Sequence, residues 1–273
     1  MTELELQKQR DHEEDLQRLR GFRPIDDTFM RVLFWDNLPL AEYVLRIITN
    51  KPDLHLTEKS QTQKDLVRLV GARGLCLDYH GIDDGNQHYD LEVQRASSGA
   101  RPERARYHAG ALDVENLDAG QEFEKLPTTY IIFITENDIW KGGKAIYPIN
   151  KTVGGTNFDG TETFFNDRQH ILYVNASYKG EGPLADLLHD FLCSDPDEMK
   201  SELMAEKARY LKSDPKGVKT MCAEMEKMRE DVEQRTTLKA IKNIMEGLRY
   251  TAQQAMDLLK IPLADQPKYM AKL

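Results

Sequence analysis

The chain has 273 residues, of which 40% are hydrophobic and 30% are charged, and its formal net charge is −9. This length and apolar content suffice for one large domain, or for a core domain with a smaller one appended. The negative total argues against a protein coated in basic surface for nonspecific nucleic-acid binding, but a local basic patch is compatible with it.

Membrane-spanning and secreted classes do not fit the sequence. No run approaches the roughly 18 apolar residues of a membrane span, and the charged N-terminus lacks the apolar stretch of a signal peptide. Cys76, Cys193 and Cys222 are far apart and show no disulfide or zinc spacing. We therefore expect a cytoplasmic protein without a membrane partner, whose cysteines are reduced and structural.

The first part of the chain predicts helices. Residues 1–21 are highly charged and lack aromatic side chains, which is typical of a frayed helix or a mobile arm. The segment Asp26-Asp27-Thr28 offers an N-cap soon after Pro24, and apolar residues at helical spacing continue to Ile48. One or two helices should therefore open the domain.

A pair of strands is predicted within residues 75–94, joined by an acidic turn that contains glycine. Pairing would carry Asp78 and Glu92 to neighbouring places on one sheet, and Gln94 would share the face of Glu92. Two carboxylates, with the Val93 carbonyl as a third ligand, suit a hard divalent cation such as Mg²⁺. The alternative is that Asp78 and Glu92 are only the polar face of an exposed hairpin, onto which Asp90 also alternates.

A helix is predicted after Pro102, and it carries part of a basic cluster. That cluster comprises Arg95, Arg101, Arg104 and Arg106, and it forms either a solvated helix face or a phosphate contact. The histidines lack metal-binding helical spacing, so we interpret the following four as structural or surface residues: His80, His88, His108 and His170.

The second half begins with strands and ends with helices. The run 130–134 predicts a strand buried on both faces, 145–149 and 170–174 predict two more, and 152–163 predicts a loop or hairpin. Apolar stripes from Leu184 onward predict helices. Further segments are a charged helix or linker at 229–237 and a small helical unit at 238–273, which is either a helix-turn-helix or an oligomer contact.

Several of these elements, taken in order, resemble a known family. They are Asp26-Asp27-Thr28-Phe29 with Phe34, then Asp78, then Tyr89-Asp90-Leu91-Glu92-Val93-Gln94, then Arg104-Ala105-Arg106-Tyr107-His108, and finally the apolar strand 130–134. This series, over about 26–218, is similar to the PD-(D/E)XK nuclease family transposases. The resemblance implies an α/β fold: a restriction-endonuclease-like mixed sheet flanked by helices, with a helical C-terminal extension. The predicted divisions are an arm at 1–21, a nuclease-like domain at 22–228 and a tail at 229–273.

The resemblance also implies a catalytic site. Asp78 and Glu92 match the metal carboxylates of the family, and the cofactor would be Mg²⁺ or Mn²⁺. Gln94 stands where the wider superfamily has lysine, so it contributes a dipole rather than a charge, and it can orient the attacking water. Arg101 and Arg104 would bind phosphate. An additional acid would come from one of four residues in the opening helices: Asp26, Asp27, Asp36 or Glu42.

Two functions are compatible with this interpretation. The first is a metal-dependent DNA endonuclease of mobile-element origin, with strand cleavage and no strand transfer. The alternative is a catalytically inactive protein of nuclease fold that binds DNA or self-associates, forming a homo-oligomer through its C-terminal helices. A weaker possibility is a self-associating structural protein with no nucleic-acid partner.

Overall fold

The computed structural model describes residues 3–66, 74–156 and 160–273. Residues 1–2 of the predicted arm and residues 157–159 of the predicted loop or hairpin lie outside the described residues. The described strands, in chain order, are β1 (Gln61–Leu66), β2 (Leu75–Ile82), β3 (His88–Gln94), β4 (Thr129–Thr135), β5 (Ile146–Pro148), β6 (Thr152–Thr156), β7 (Glu162–Phe164) and β8 (Gln169–Asn175).

Helices occupy both ends of the described chain. They are α1 (Glu3–Gly21), α2 (Asp27–Phe34), α3 (Leu38–Thr49), α4 (Pro102–Asn116), α5 (Pro183–Leu192), α6 (Glu202–Ser213), α7 (Pro215–Leu248), α8 (Ala252–Leu258) and α9 (Gln266–Met270). Local chemistry fixes several of their ends. The Asn37 side chain caps α3 by accepting a hydrogen bond from the Leu40 N–H, and Asn50 ends the same helix in the left-handed conformation.

Six strands form one mixed sheet in the order β1-β2-β3-β4-β8-β5. The β3–β4 and β4–β8 pairs are parallel, whereas β1–β2, β2–β3 and β5–β8 are antiparallel. Strands β6 and β7 form a separate antiparallel pair, so the predicted loop or hairpin at 152–163 contains a hairpin. The predicted strands are confirmed, and β1 is an additional strand that the sequence did not predict.

Helices cover both faces of this sheet. Strand β3 places Tyr89, Leu91 and Val93 in a front core that includes buried residues of α2, α3, α5 and α6. A rear core contains Ile131, Phe133 and Tyr173 from the sheet with Ala105, Ala109 and Leu112 from α4. Because side chains alternate along a strand, His88, Asp90 and Glu92 project to the rear, toward α4. The fold is therefore mixed α/β, with a six-stranded mixed sheet flanked by helices.

The chain divides into two compact units, one ending at Met221 and the other spanning Cys222–Leu273. The division falls within α7, which also includes the predicted charged segment 229–237. The second unit has its own small core, formed by Ile241, Ala255, Met256 and Tyr269. Within the described ranges, no helix has the length and apolar content needed to cross a membrane.

Candidate metal centre

The site lies where β2 and β3 separate. Their ladder runs from the Ile82–His88 pair to the Tyr79–Leu91 pair. Beyond it, the Asp78 N–H donates to Glu92 Oε1 at 2.9 Å, and the Val93 N–H donates to Asp78 Oδ2 at 3.2 Å. Side-chain carboxylates thus replace the backbone partners of the ladder, and the structure brings Asp78 and Glu92 together.

Strand β2 changes face at Asp78. Tyr79 packs in the front core and Leu77 in the rear core, although two residues at this spacing normally share a face. Opposite this point, Gln63 of β1 has a φ of 53°, in the left-handed region. The strand is therefore irregular here, and the irregularity places the Asp78 carboxylate beside the diverging end of β3.

Asp90, Glu92 and His108 form a candidate metal group behind the sheet. One possible ligand atom from each residue lies within 4.8 Å of the others. His108 Nδ1 is 2.7 Å from Asp90 Oδ2 and 4.0 Å from Glu92 Oε1. All three side chains are buried, and Asp90 and Glu92 have 0% exposure.

Arg104 covers this group from the first turn of α4. Its guanidinium contacts Glu92 Oε2 at 2.7 Å, donates from Nε to His108 Nε2 at 3.1 Å, and reaches the Gly99 carbonyl at 3.2 Å. Since His108 Nε2 accepts a hydrogen bond, Nδ1 carries the proton that is donated to Asp90. This is a neutral imidazole, in agreement with burial lowering the pKa of His108 to about 4.

The carboxyl groups of the site have too few hydrogen bonds and positive charges around them to offset the water that they lose on burial. Burial, and then the charge of Asp90, raise the pKa of Glu92 to about 8. Burial is also the main cause that raises the pKa values of Asp78 and Asp90 well above their usual range, followed by the charge of Glu92 on Asp78 and of Asp78 on Asp90. Asp90 Oδ1 is buried and has no hydrogen-bond partner in the described part of the chain. A bound cation would lower these pKa values and would give Asp90 Oδ1 a partner.

Gln94 and Arg101 lie near this group without belonging to it. A Cβ atom added to Gly99 would lie 2.0 Å from Gln94 Oε1, so the Gln94 amide packs directly against the Gly99 backbone. Arg101 is exposed and immediately precedes α4. Arg104, which is also predicted to bind phosphate, pairs with Glu92.

The four acids proposed from the opening helices have different environments. Asp27 makes two hydrogen bonds to Arg31, and its charge contributes to the raised pKa of Asp78. Asp26 forms ion pairs with Arg23 and Arg95. Glu42 pairs with Arg46 and accepts a hydrogen bond from the Leu56 N–H. Asp36 lines a cavity together with Trp35 and Tyr79. Asp27 is therefore the acid of this set whose charge acts on Asp78.

Sequence reasoning did not assign Asp90 and His108 to the site. Asp90 had a signal, because it alternates onto the face of Glu92. His108 was interpreted as structural or surface, but it lies on the buried face of α4 with Ala105, Ala109 and Leu112. His80 and His88 instead form a buried hydrogen-bonded pair at 3.1 Å, and His170 stacks on Tyr130.

Comparison with known proteins assigns no role to the residues of this site. No family model, no curated protein and no solved structure matches this chain. What the geometry provides is a buried Asp-Glu-His group that can hold a metal ion, beside a further carboxylate and an arginine.

Proposed function

We propose that this chain is a metal-dependent nuclease that hydrolyses phosphodiester bonds in DNA, on a core of the restriction-endonuclease type. One observation carries the proposal. Asp78, Asp90 and Glu92 are buried together where two strands diverge, and Asp90 Oδ1 has no partner among the described residues. A group of buried acids with raised pKa values is costly for a fold to maintain, and such groups concentrate at functional sites.

The donor set fits a divalent ion. Asp90 and Glu92 offer carboxylate oxygens, with Asp78 beside Glu92. His108 would offer Nδ1 once its proton moves to Nε2, which requires the Arg104 donor to leave that nitrogen. Oxygen ligands suit Mg²⁺ and Mn²⁺, and an imidazole ligand favours Mn²⁺ of the two. When bound, such an ion stabilises charge on the scissile phosphate and makes water nucleophilic near neutral pH.

The residues around the group have separate tasks in this proposal. Arg104 exchanges its contact with Glu92 for the phosphate, to which a guanidinium can donate two parallel hydrogen bonds. Gln94 orients the attacking water by hydrogen bonding and does not act as a base, because an amide does not titrate in this range. Arg101, exposed before α4, attracts the DNA backbone.

The proposed setting follows the resemblance. We propose a cytoplasmic protein of mobile-element origin whose partner is DNA and whose C-terminal helices mediate homo-oligomer formation. The enzyme would cut strands without transferring them.

Plasmid nicking tests this function. Purified protein is incubated with supercoiled plasmid and Mn²⁺ or Mg²⁺, beside Glu92→Gln, Asp90→Asn and the control Asp84→Asn, which changes an exposed acid in the turn of the same hairpin. We expect nicking to fall at least a hundredfold for the first two variants, because each removes charge from the metal group. Calorimetry should detect metal binding by wild type and Asp84→Asn but not by Glu92→Gln. Equal nicking by all four proteins would contradict the proposal.

A second function is favoured by one contact. The Arg104 guanidinium already occupies Oε2 of the fully buried Glu92 without any ion. This favours a catalytically inactive protein of nuclease fold that binds DNA or self-associates. A gel shift on DNA without calorimetric metal binding would support it over the nuclease.

A further inference from the structure

A row of aromatic rings in contact leads from the candidate metal group to the surface. The His108 ring meets Phe133 at 5.5 Å, Phe133 stacks on Tyr173 at 5.8 Å, and Tyr173 meets Trp140 edge-to-face at 5.4 Å. His108, Phe133 and Tyr173 are buried, whereas Trp140 is 44% exposed. Three successive ring contacts therefore connect the site to an open indole on the same side of the sheet.

The loop that carries Trp140 is held in place by its own hydrogen bonds. The Asp138 carboxylate accepts from the backbone N–H groups of Trp140, Lys141 and Gly143, at 3.2, 2.9 and 2.7 Å. The Tyr147 hydroxyl donates to the same carboxylate at 2.8 Å. The indole is thus presented on an ordered turn, so a ligand that binds it does not have to order the backbone first.

The surroundings of Trp140 match a nucleic-acid strand. Lys141 and Lys144 are exposed on the same turn, and they outnumber its one acid, Asp138, whose carboxylate points to backbone N–H groups and the Tyr147 hydroxyl. Burial, and then the negative charge of Glu103 in the first turn of α4, raise the pKa of the Tyr173 hydroxyl. That hydroxyl is buried and has no partner within the described ranges. An aromatic face flanked by cations is the usual arrangement for binding single-stranded nucleic acid.

The other tryptophan has different surroundings. Trp35 is 60% exposed and lines a cavity with Asp36 and Glu58, whose negative charges disfavour a phosphate backbone. The chain contains two tryptophans. Trp35 is therefore a matched internal control for Trp140.

We propose that Trp140 is the stacking platform for an unpaired base of the DNA strand that enters the metal site. This inference rests on the proposed nuclease function and specifies its substrate: a strand with at least one unpaired base near the cut, rather than a fully paired duplex. Trp140 is then a substrate-binding residue outside the candidate metal group.

Tryptophan fluorescence tests the proposal directly. Trp35→Phe leaves Trp140 as the single indole, and Trp140→Phe leaves Trp35. Each protein is titrated with a single-stranded oligothymidylate in EDTA, so that no cleavage occurs. We expect saturable quenching of Trp35→Phe and none of Trp140→Phe. A blunt duplex should produce little quenching of Trp35→Phe. Absence of saturable quenching in Trp35→Phe, or equal quenching by the duplex, would overturn the proposal.

Affinity gives a second measurement. Trp140→Ala should weaken binding of the oligothymidylate roughly ten- to hundredfold, Trp140→Phe should fall between it and wild type, and Trp35→Ala should bind as wild type does. Thermal unfolding checks that Trp140→Ala is folded. The fluorescence titration of Trp35→Phe does not depend on this check, because that variant retains Trp140. Equal affinity of Trp140→Ala and wild type would contradict stacking.

The two proposals can fail separately. Glu92→Gln, introduced into the Trp35→Phe background, should still be quenched, because Glu92 does not contact Trp140. If nicking depends on metal and on Glu92 while Trp35→Phe shows no quenching, the stacking platform is wrong and the nuclease stands. Quenching without metal binding would leave the stacking site in a protein that is not a nuclease.

Discussion

Glu92 accepts hydrogen bonds from the Asp78 N–H and from Arg104 while having no exposure to solvent. Those two contacts favour the charged carboxylate, but burial and the neighbouring Asp90 oppose it and raise the pKa to about 8. At neutral pH the carboxyl group is therefore held largely in its neutral form in the absence of metal. A bound cation would have to displace this proton, so metal affinity should rise with pH.

This raised pKa predicts a pH dependence of stability. The folded pKa of about 8 lies above the usual 4.5, so between these values the unfolded state loses its proton first. The contribution of this pKa shift to the free energy of unfolding is then complete below about pH 4.5 and is lost as pH rises through about 8. We expect the free energy of unfolding of wild type, measured with urea in EDTA, to fall relative to that of Glu92→Gln across this window. Asp84→Asn should keep the wild-type slope, and parallel profiles for wild type and Glu92→Gln would contradict the assignment.

Lys212 is a half-buried cation away from the candidate metal group. Its ammonium donates to the carbonyl oxygens of Arg20 and Phe22 at 3.1 and 2.5 Å, and to that of Ser194. These carbonyls lie at or just beyond the C-terminal ends of α1 and α5, where backbone acceptors lack helical partners. Burial lowers the pKa of Lys212 to about 8, and the charges of nearby groups, among them Asp195 and Asp26, oppose this shift.

Replacing Lys212 should cost stability. Lys212→Met keeps much of the apolar stem and leaves three carbonyls without their donor, so we expect a loss of about 2–4 kcal/mol in the free energy of unfolding. The control is Lys219→Met on α7, where the lysine is exposed and the expected change is within about 0.5 kcal/mol. Urea denaturation at pH 7 measures both, and equal stability of the two variants would refute a structural role for Lys212.

At the scale of elements, periodicity predicted most of the sheet. The apolar run 130–134 became β4, one of the two middle strands, and the alternating segments 75–94 became β2 and β3. Strand β1 was not predictable in this way, because Gln61–Leu66 is almost wholly polar and forms the edge of the sheet beside β2. Its strand conformation comes from pairing with β2 rather than from an apolar pattern of its own.

The candidate site was predictable only in part, for a related reason. Asp78 and Glu92 are brought together by local hairpin pairing, which a sequence pattern can anticipate. His108 reaches the group because α4 packs on the rear face of the sheet, and this docking depends on tertiary contacts such as Ala105 and Ala109 against Phe133. Neither the spacing of residues in the sequence nor their secondary-structure propensity predicts that His108 lies beside Asp90 and Glu92.

The turn between β3 and α4 permits a test of Gln94. A Cβ at Gly99 would collide with Gln94 Oε1, the mobile end of a flexible side chain, whereas a Cβ at Gly110 of α4 meets nothing within 4 Å. Gly99→Ala should therefore displace the Gln94 amide at a cost below about 1 kcal/mol, and Gly110→Ala should stabilise the helix by about 0.5–1 kcal/mol. We expect slower plasmid nicking by Gly99→Ala with metal binding retained, and unchanged nicking by Gly110→Ala. Wild-type nicking by Gly99→Ala would contradict a role for Gln94 in orienting water.

At the scale of the first unit, the parallel strands β3, β4 and β8 determine where a functional site can form. Their C-terminal ends meet at one edge of the sheet, which is where open α/β sheets usually bind ligands. An ion network occupies this edge: Glu136 pairs with Arg23 at 2.9 Å and with Arg95 at 3.2 Å, and Arg95 also reaches Asp26 at 3.0 Å. Glu92 and Gln94 are close to the same edge, so the proposed water-orienting residue and the metal group share a scaffold tied by these ion pairs.

The second unit depends on a very small core. Four buried side chains form it, and Met256 among them has 0% exposure. A capping box at Thr251 and Gln254 begins α8, and Gln266 links α9 to Asp257. With so few apolar contacts, the polar links at helix ends carry a larger share of the stability than they do in a large core.

Removing one buried side chain should therefore unfold this unit locally. Met256→Ala creates a cavity that typically costs about 2–5 kcal/mol, which is comparable to what a core of this size can supply. We expect amides of α8 and α9 to lose protection from hydrogen exchange, measured by mass spectrometry on the full chain. The matched control is Met270→Ala, since Met270 is 52% exposed and its truncation removes little buried area. If Met256→Ala and Met270→Ala leave exchange equally slow, this core is not what holds α8 and α9 together, and the capping and side-chain hydrogen bonds must be sufficient.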